Sequence, residues 1–202
     1  AAVILIHGRG ATASDILELA TLLPQSGIAF LAPQAAANNW YPNRFIAPTA
    51  SNEPWLSSAL KTIADQLERV NQAGIPPERT LLLGFSQGAC LVLEFAARQP
   101  QRYGGVAGLS GALIGAPEEP RPEAPGALQG TPVFIGCGQE DPFIPVERVR
   151  FSADHLRGIG ATVTTHFYPG GEHRVYSDEI EILKEMVDAL AGPANGVAPA
   201  TG

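Results

Sequence analysis

Gly84-Phe85-Ser86-Gln87-Gly88 is the stretch that decides the fold. The apolar run at residues 80–83 stands directly before it and is typical of a fully buried strand, and residues 89–97 after it favour a helix. A serine at a sharp turn from strand to helix, flanked by small residues, meets the requirements of a nucleophile elbow, which exposes the hydroxyl above a sheet. Glycines let strand and helix approach closely, and the first N–H groups of the helix point at the serine.

The composition is that of an acidic globular protein. The chain has 202 residues, 45% of them hydrophobic, and a formal net charge of -7. We therefore expect one domain over residues 1–191 and a flexible tail over residues 192–202. No basic cluster stands out, so we expect no nucleic-acid partner. No apolar stretch approaches the roughly 20 residues of a membrane-spanning helix, so we expect no stable membrane insertion.

The chain opens directly in an apolar strand and shows no signal peptide. We therefore expect a cytoplasmic protein, although residues upstream of Ala1 can have been left out of the sequence. The two cysteines, Cys90 and Cys137, lie far apart and lack metal-ligand spacing. We expect no metal and no other cofactor. Monomer and homodimer both stay open.

Strands alternate with helices along the chain. The expected strands are residues 2–6, 28–31, 80–83, 105–109, 132–135 and 162–167, and the expected helices are residues 16–23, 56–73, 89–97, 146–156 and 178–190. This order predicts an α/β fold with a mostly parallel sheet and helices on both faces. Sites in such sheets form at the carboxyl ends of the strands. Residues 34–54 lack a clear period and are expected to form a long loop over one end of the sheet.

A serine nucleophile needs a base, and His173 is the best candidate among four histidines. A serine hydroxyl is weakly nucleophilic until a base takes its proton and an acid orients that base. His173 follows the sixth strand on a glycine-containing loop at the carboxyl edge. His155 falls within a helix and His166 within a strand, and His7 precedes a glycine turn that it is expected to hold together.

The acid should also follow a strand. Asp141 follows the fifth strand, with Glu140 beside it as the main rival. Pro142 biases Asp141 toward an extended conformation, which fixes the direction of its short side chain. The resulting chain order of serine, aspartate and histidine is the order of α/β-hydrolases. Ser110 is a rival nucleophile, but no helix follows it, so we interpret it as a turn residue.

The negative charge formed on attack requires preorganised N–H donors. One is the backbone N–H of Gln87, the residue after the nucleophile. The second should come from the loop after the first strand, His7-Gly8-Arg9-Gly10, and the backbone N–H of Arg9 is our choice.

The same loop also matches a dinucleotide-binding pattern. Gly8-Arg9-Gly10-Ala11-Thr12-Ala13 reads G-x-G-x-x-A between a strand and a helix. That interpretation requires an acidic residue at the end of the second strand, and none occurs between Glu18 and Glu53. It also leaves Ser86, Asp141 and His173 without a role.

Four stretches together resemble the phospholipase/carboxylesterase family, which includes the acyl-protein thioesterases and small bacterial carboxylesterases. They are His7-Gly8-Arg9-Gly10, Gly84-Phe85-Ser86-Gln87-Gly88, Gly136-Cys137-Gly138-Gln139-Glu140-Asp141-Pro142-Phe143-Ile144-Pro145 and Gly171-Glu172-His173. The resemblance runs from the first strand to about Leu190. It implies an α/β-hydrolase without a large lid domain, a Ser86–Asp141–His173 triad, and Arg9 and Gln87 as backbone donors.

Asn39-Trp40-Tyr41-Pro42 is similar to the bacterial carboxylesterase branch. The chain departs from the family at Phe143, where histidine is frequent, and in lacking a hairpin before the first strand. The resemblance implies a serine carboxylesterase that acts through an acyl-enzyme. No inserted segment is long enough to form a deep lid, so we expect a shallow pocket that favours short- to medium-chain esters. A thioesterase or lysophospholipase acting on longer chains, and a binding module with a decayed site, are the alternatives.

Five aromatic or apolar residues are expected near the carboxyl end of the sheet. They are Trp40, Tyr41 and Phe45 in the long loop, and Phe143 and Ile144 after Asp141. Pockets for small molecules are mostly apolar, so we expect some of them to line an acyl pocket beside Ser86. The alternative is that all five cap the core.

Overall fold

The computed structural model describes residues 1–190 and contains one six-stranded parallel sheet in the order β2-β1-β3-β4-β5-β6. The tail expected over residues 192–202 lies outside these residues. The strands are β1 (Ala2–Ile6), β2 (Ala29–Leu31), β3 (Thr80–Phe85), β4 (Gly105–Leu109), β5 (Pro132–Gly138) and β6 (Thr162–Tyr168). The predicted parallel sheet is therefore confirmed.

Helices cover both faces of the sheet, as predicted. They are α1 (Ala13–Ala20), α2 (Trp55–Gln72), α3 (Gln87–Arg98), α4 (Val146–Gly158) and α5 (Ser177–Leu190). One core contains buried residues of α2, α3 and α4, and the other contains those of α1 and α5. β1 is buried on both faces. Ile4 and Ile6 pack in the core formed with α2, α3 and α4, whereas Val3 and Leu5 pack in the core formed with α1 and α5.

The long helix α2 is amphipathic, as its sequence predicts. Its apolar residues recur at intervals of three and four, so they make one stripe that faces the core. The buried residues of this stripe are Leu56, Ala59, Leu60, Ile63, Leu67 and Val70. No helix among residues 1–190 is both long and apolar enough to cross a bilayer.

The long loop is more ordered than its sequence indicates. It contains two 3₁₀ turns, Ala36–Asn38 and Thr49–Asn52. Turns of three and four residues are too short to show a hydrophobic period, and therefore the pattern could not reveal them.

Glycine at two positions allows β1, β3 and α3 to meet around the elbow. A Cβ atom at Gly84 would lie 2.2 Å from the carbonyl oxygen of Gly88, and one at Gly88 would lie 2.0 Å from that of Ile6. Real Cβ atoms do not approach backbone oxygens so closely, so any other residue would push α3 away from the sheet. Ser86, between them, has φ 54° and ψ -118°, the strained turn that a nucleophile elbow requires.

We expect Gly88→Ala to lower the free energy of unfolding by about 1–3 kcal/mol or more, because the added methyl overpacks a backbone contact. Urea unfolding measures this difference. Gly158→Ala is the matched control, since a Cβ at Gly158 has nothing within 4 Å, and it should be neutral or slightly stabilising. Equal stability of both variants would contradict the account of the elbow.

Candidate active site

Three side chains from three strand ends form a continuous chain of hydrogen bonds. Ser86 follows β3, Asp141 follows β5 and His173 follows β6. Ser86 Oγ lies 2.8 Å from His173 Nε2, and His173 Nδ1 lies 2.7 Å from Asp141 Oδ2. The parallel sheet brings these ends to one edge, which explains how residues so far apart in sequence meet.

Hydrogen bonds to both carboxylate oxygens hold the side chain of Asp141 in place. Its side chain has 0% exposure, and Oδ1 accepts hydrogen bonds from the backbone N–H groups of Phe143 at 2.8 Å and Ile144 at 3.1 Å. These two donors stabilise the carboxylate and leave Oδ2 directed at His173. Glu140, its rival, is exposed, and its backbone N–H donates to the carbonyl of Gly170. The structure brings Asp141, and not Glu140, to the histidine.

His173 lies between two aromatic rings. Its ring centroid is 5.1 Å from that of Phe85 and 4.9 Å from that of Phe143. The imidazole is 16% exposed, so it is shielded but reachable from the cavity. Tyr176 holds the histidine loop in place by donating its hydroxyl to the carbonyl of Glu172 at 2.9 Å.

Ser86 and Ser110 share an unusual backbone but differ in surroundings. Both have positive φ, at 54° and 52°. Ser86 Oγ faces His173, whereas Ser110 is fully buried and its Oγ has no hydrogen-bond partner among residues 1–190. This contrast favours Ser86 as the group that can be activated.

The loop after β1 packs directly against Ser86. A Cβ atom at Gly8 would lie 3.3 Å from the Cβ of Ser86, so the backbone of Gly8 and Arg9 borders the elbow. Neither the backbone N–H of Arg9 nor that of Gln87 donates a hydrogen bond to any part of the chain that the structure describes. Both are therefore free to bind a negatively charged oxygen. His7 holds this loop, as expected, because its Nε2 accepts the N–H of Ala35 at 3.1 Å.

The position of this loop also decides against the dinucleotide interpretation. A Cβ atom at Gly8 would lie 3.3 Å from that of Ser86, and Arg9 lines the cavity beside this serine. No acidic residue ends β2, since no Asp or Glu occurs between Glu18 and Glu53.

The side chain of Gln87 ties the elbow to the long loop, a role that sequence reasoning missed. Its Oε1 accepts the N–H of Trp40 at 2.9 Å, and its Nε2 donates to Asn39 Oδ1 at 3.0 Å and to the carbonyl of Tyr41 at 2.9 Å. Arg9 reinforces the loop by donating to the carbonyls of Tyr41, Pro42 and Asn43 at 2.8–3.0 Å. These partners lie more than 30 residues away, so no local signal could reveal them.

A cavity of about 380 Å³ opens beside Ser86. It is lined by Arg9, Tyr41, Pro42, Asn43, Arg44, Phe45, Ser86, Gln87, Cys90, Phe143, Ile144 and His173. Four of the five expected pocket residues are present, namely Tyr41, Phe45, Phe143 and Ile144. Burial raises the pKa of the Cys90 thiol to about 12, so Cys90 is an unreactive part of the wall at neutral pH.

Trp40 corrects the expected set of pocket residues. It does not line the cavity, because its indole is buried and its Nε1 donates to the carbonyl of His7 at 2.9 Å. Its ring lies against His7, with centroids 4.9 Å apart. Trp40 therefore packs under the loop and links it to the turn after β1.

A family model described as Phospholipase/Carboxylesterase matches residues 1–191. A solved phospholipase/carboxylesterase from Dyadobacter fermentans superposes with a TM-score of 0.85 at 40% sequence identity, covering 92% of this chain and 88% of that one. With the sheet and helices described above, this match confirms the predicted α/β-hydrolase fold.

Two curated proteins are also similar. Acyl-protein thioesterase 1 from Gibberella zeae is 35% identical over 124 residues, which are 61% of this chain and 53% of that protein. Acyl-protein thioesterase 1 from Kluyveromyces lactis is 38% identical over 138 residues, which are 67% of this chain and 59% of that protein. The chain therefore spans little more than half the length of these two relatives.

We expect Gln87→Ala to lower the free energy of unfolding by about 1–3 kcal/mol, because buried polar groups of the long loop lose their partner. Chemical denaturation measures the loss. Gln72→Ala is the matched control, since Gln72 is exposed and bonds only to the exposed Glu68, and it should change stability by less than about 0.5 kcal/mol. Similar losses in both variants would contradict the anchoring role of Gln87.

Proposed function

This chain belongs to the phospholipase/carboxylesterase family, and we propose that it is a serine carboxylesterase that hydrolyses short- to medium-chain esters through an acyl-enzyme. The observation that carries the proposal is the hydrogen-bonded chain from Ser86 through His173 to Asp141, which opens into a cavity. In the proposed roles, Ser86 is the nucleophile, His173 the general base and Asp141 the orienting acid.

Acylation starts with a proton transfer. His173 Nε2 takes the proton of Ser86 Oγ while that oxygen attacks the ester carbonyl carbon. The Nδ1–H of His173 donates to Asp141 throughout, which fixes the tautomer and stabilises the imidazolium. Because Asp141 keeps the N–H groups of Phe143 and Ile144 as partners, its carboxylate does not have to reorganise during the step.

The tetrahedral intermediate carries a negative oxygen. The backbone N–H groups of Arg9 and Gln87 donate to this oxygen, and the positive end of the α3 dipole adds to their effect. The imidazolium then gives its proton to the leaving alcohol, and the C–O bond breaks. A water molecule, activated by His173 in the same way, attacks the acyl-enzyme and releases the acid.

The thioesterase alternative shares this chemistry and differs in the acyl chain. Two similar curated proteins are named acyl-protein thioesterases, which keeps this alternative open. The preference for shorter chains is supported by the cavity, whose volume is about 380 Å³ and whose walls include the buried side chains of Tyr41, Phe45 and Ile144.

We expect Ser86→Ala to fold normally and to lose esterase activity by roughly 10⁴-fold or more, because the nucleophile is removed. Asp141→Asn should lower kcat by about 10³- to 10⁴-fold, since the imidazole loses the partner that fixes its tautomer. Steady-state kinetics with 4-nitrophenyl butyrate give both values. Glu140→Gln is the control for Asp141→Asn, and a larger loss in Glu140→Gln would show that the acid is assigned to the wrong carboxylate.

We expect kcat/KM to climb from acetyl esters to an optimum at short or medium length and then to fall. Each methylene that fits contributes about 0.8 kcal/mol, and chains that outgrow the cavity gain nothing further. A series of 4-nitrophenyl esters measures the profile. Phe45→Leu should shift the optimum to longer chains, whereas Phe151→Leu, on the outer side of α4, should not. A steady rise to palmitoyl esters would favour the thioesterase alternative.

A further inference from the structure

The cavity beside Ser86 is positively charged in a protein that is acidic as a whole. Arg9 and Arg44 line it, and no Asp or Glu within residues 1–190 does so. The chain as a whole has 20 acidic and 13 basic residues, so the local charge opposes the global one. Clefts lined by one sign of charge concentrate ligands of the opposite sign. The charge of this cavity therefore favours an anionic ligand.

Arg9 contributes a fixed positive charge. Its guanidinium donates only to neutral groups, the carbonyl oxygens of Tyr41, Pro42 and Asn43. No carboxylate of the described residues lies within salt-bridge distance of it. The charge of Arg9 is therefore held at the cavity without being neutralised.

Arg44 contributes a positive charge whose guanidinium N–H groups are mostly not hydrogen-bonded within residues 1–190. Its backbone is anchored by the buried side chain of Asn52, which accepts the N–H of Asn43 at 2.8 Å and donates to the carbonyl of Arg44 at 3.3 Å. Its guanidinium makes one long contact, 3.5 Å from Nη2 to the carbonyl oxygen of Phe143. A guanidinium presents five N–H donors in a fork that matches carboxylate and phosphate oxygens. Most of the Arg44 fork is thus available to a ligand.

The acidic residues nearest in sequence to the site leave this charge in place. Asp141 is paired with His173 at 2.7 Å, and its side chain has 0% exposure, so it does not face the cavity. Glu140 and Glu172 precede Asp141 and His173, but neither lines the cavity. Both are exposed, and Glu172 pairs with Arg174 at 2.5 Å.

The position of Arg44 indicates which part of a substrate it meets. In the proposed mechanism, His173 gives its proton to the leaving group, so the leaving group lies on the side of the imidazole. The ring of Phe143 packs against His173 at 4.9 Å, and the guanidinium of Arg44 reaches the carbonyl of the same residue. Phe143 thus contacts both His173 and Arg44, and we infer that Arg44 lies on the leaving-group side of the cavity.

We propose that Arg44, assisted by the charge of Arg9, selects substrates whose leaving alcohol or thiol carries an anionic group, either a carboxylate or a phosphate-type group. This inference rests on the proposed esterase function and specifies its substrate class. The apolar part of the cavity holds the acyl chain, and the arginine fork holds the anionic group of the departing fragment. The preference weakens as ionic strength rises, because both arginines are exposed to solvent.

The test compares three butyrate esters that differ in the charge of the leaving phenol: 4-carbamoylphenyl, 4-carboxyphenyl and 4-phosphonophenyl. The measured quantity is the kcat/KM of each charged ester divided by the kcat/KM of the neutral ester. We expect this ratio to be about three- to fivefold lower in Arg44→Gln than in the wild type. A change of this size corresponds to the loss of one partly exposed ion pair. The fall should arise mainly in KM, and Arg44→Lys should retain part of the ratio. The charged ester with the larger fall identifies the preferred anion.

Arg69→Gln is the matched control, because it removes one exposed arginine from α2, away from the cavity. It should leave both ratios unchanged. Unchanged ratios in Arg44→Gln, with neutral esters still hydrolysed, would overturn this inference alone. Monoethyl adipate carries a carboxylate on its acyl part, whereas ethyl heptanoate is uncharged. If Arg44 favours monoethyl adipate over ethyl heptanoate but does not favour the charged phenyl esters, the assignment of Arg44 to the leaving group is overturned. Failure to hydrolyse any ester would contradict the proposed function and this inference together.

Discussion

The close approach of α3 to the sheet at Gly88 is the constraint on which the rest of the site depends. A Cβ atom there would lie 2.0 Å from the carbonyl oxygen of Ile6, so α3 can begin at this point only if the residue has no side chain. The approach forces the chain into a tight turn with Ser86 at positive φ. It also places the N-terminus of α3, with its free N–H groups, beside the loop that follows β1.

From this turn, polar contacts extend outward to the long loop. The side chain of Gln87 and the guanidinium of Arg9 both bind backbone atoms of residues 39–43. The loop is therefore part of the same rigid unit as the elbow, and it carries Tyr41 and Phe45 into the cavity wall. Substrate contacts and proposed chemistry thus share one support, which suits a site that must hold its groups in place before the substrate arrives.

The sequence predicted the sheet, its helices and the meeting of Ser86, Asp141 and His173, because each depends on a local pattern and on the rule for strand ends. Contacts between distant segments could not be predicted in this way. The place of Trp40 in the long loop predicts a pocket residue, but its indole donates from Nε1 to the backbone carbonyl of His7 and packs away from the cavity. The contacts of the Gln87 carboxamide and the Arg44 guanidinium likewise form only when distant segments pack together. The spacing of residues along the chain therefore does not predict these contacts.

The central claim is that Ser86, activated by His173, is the nucleophile. Peptide mapping by mass spectrometry after reaction with a fluorophosphonate tests it most directly. We expect a single adduct on Ser86, and we expect this adduct to be lost in His173→Ala because the hydroxyl then lacks its base. An adduct on Ser110, or labelling of Ser86 that persists at the same rate in His173→Ala, would contradict the account.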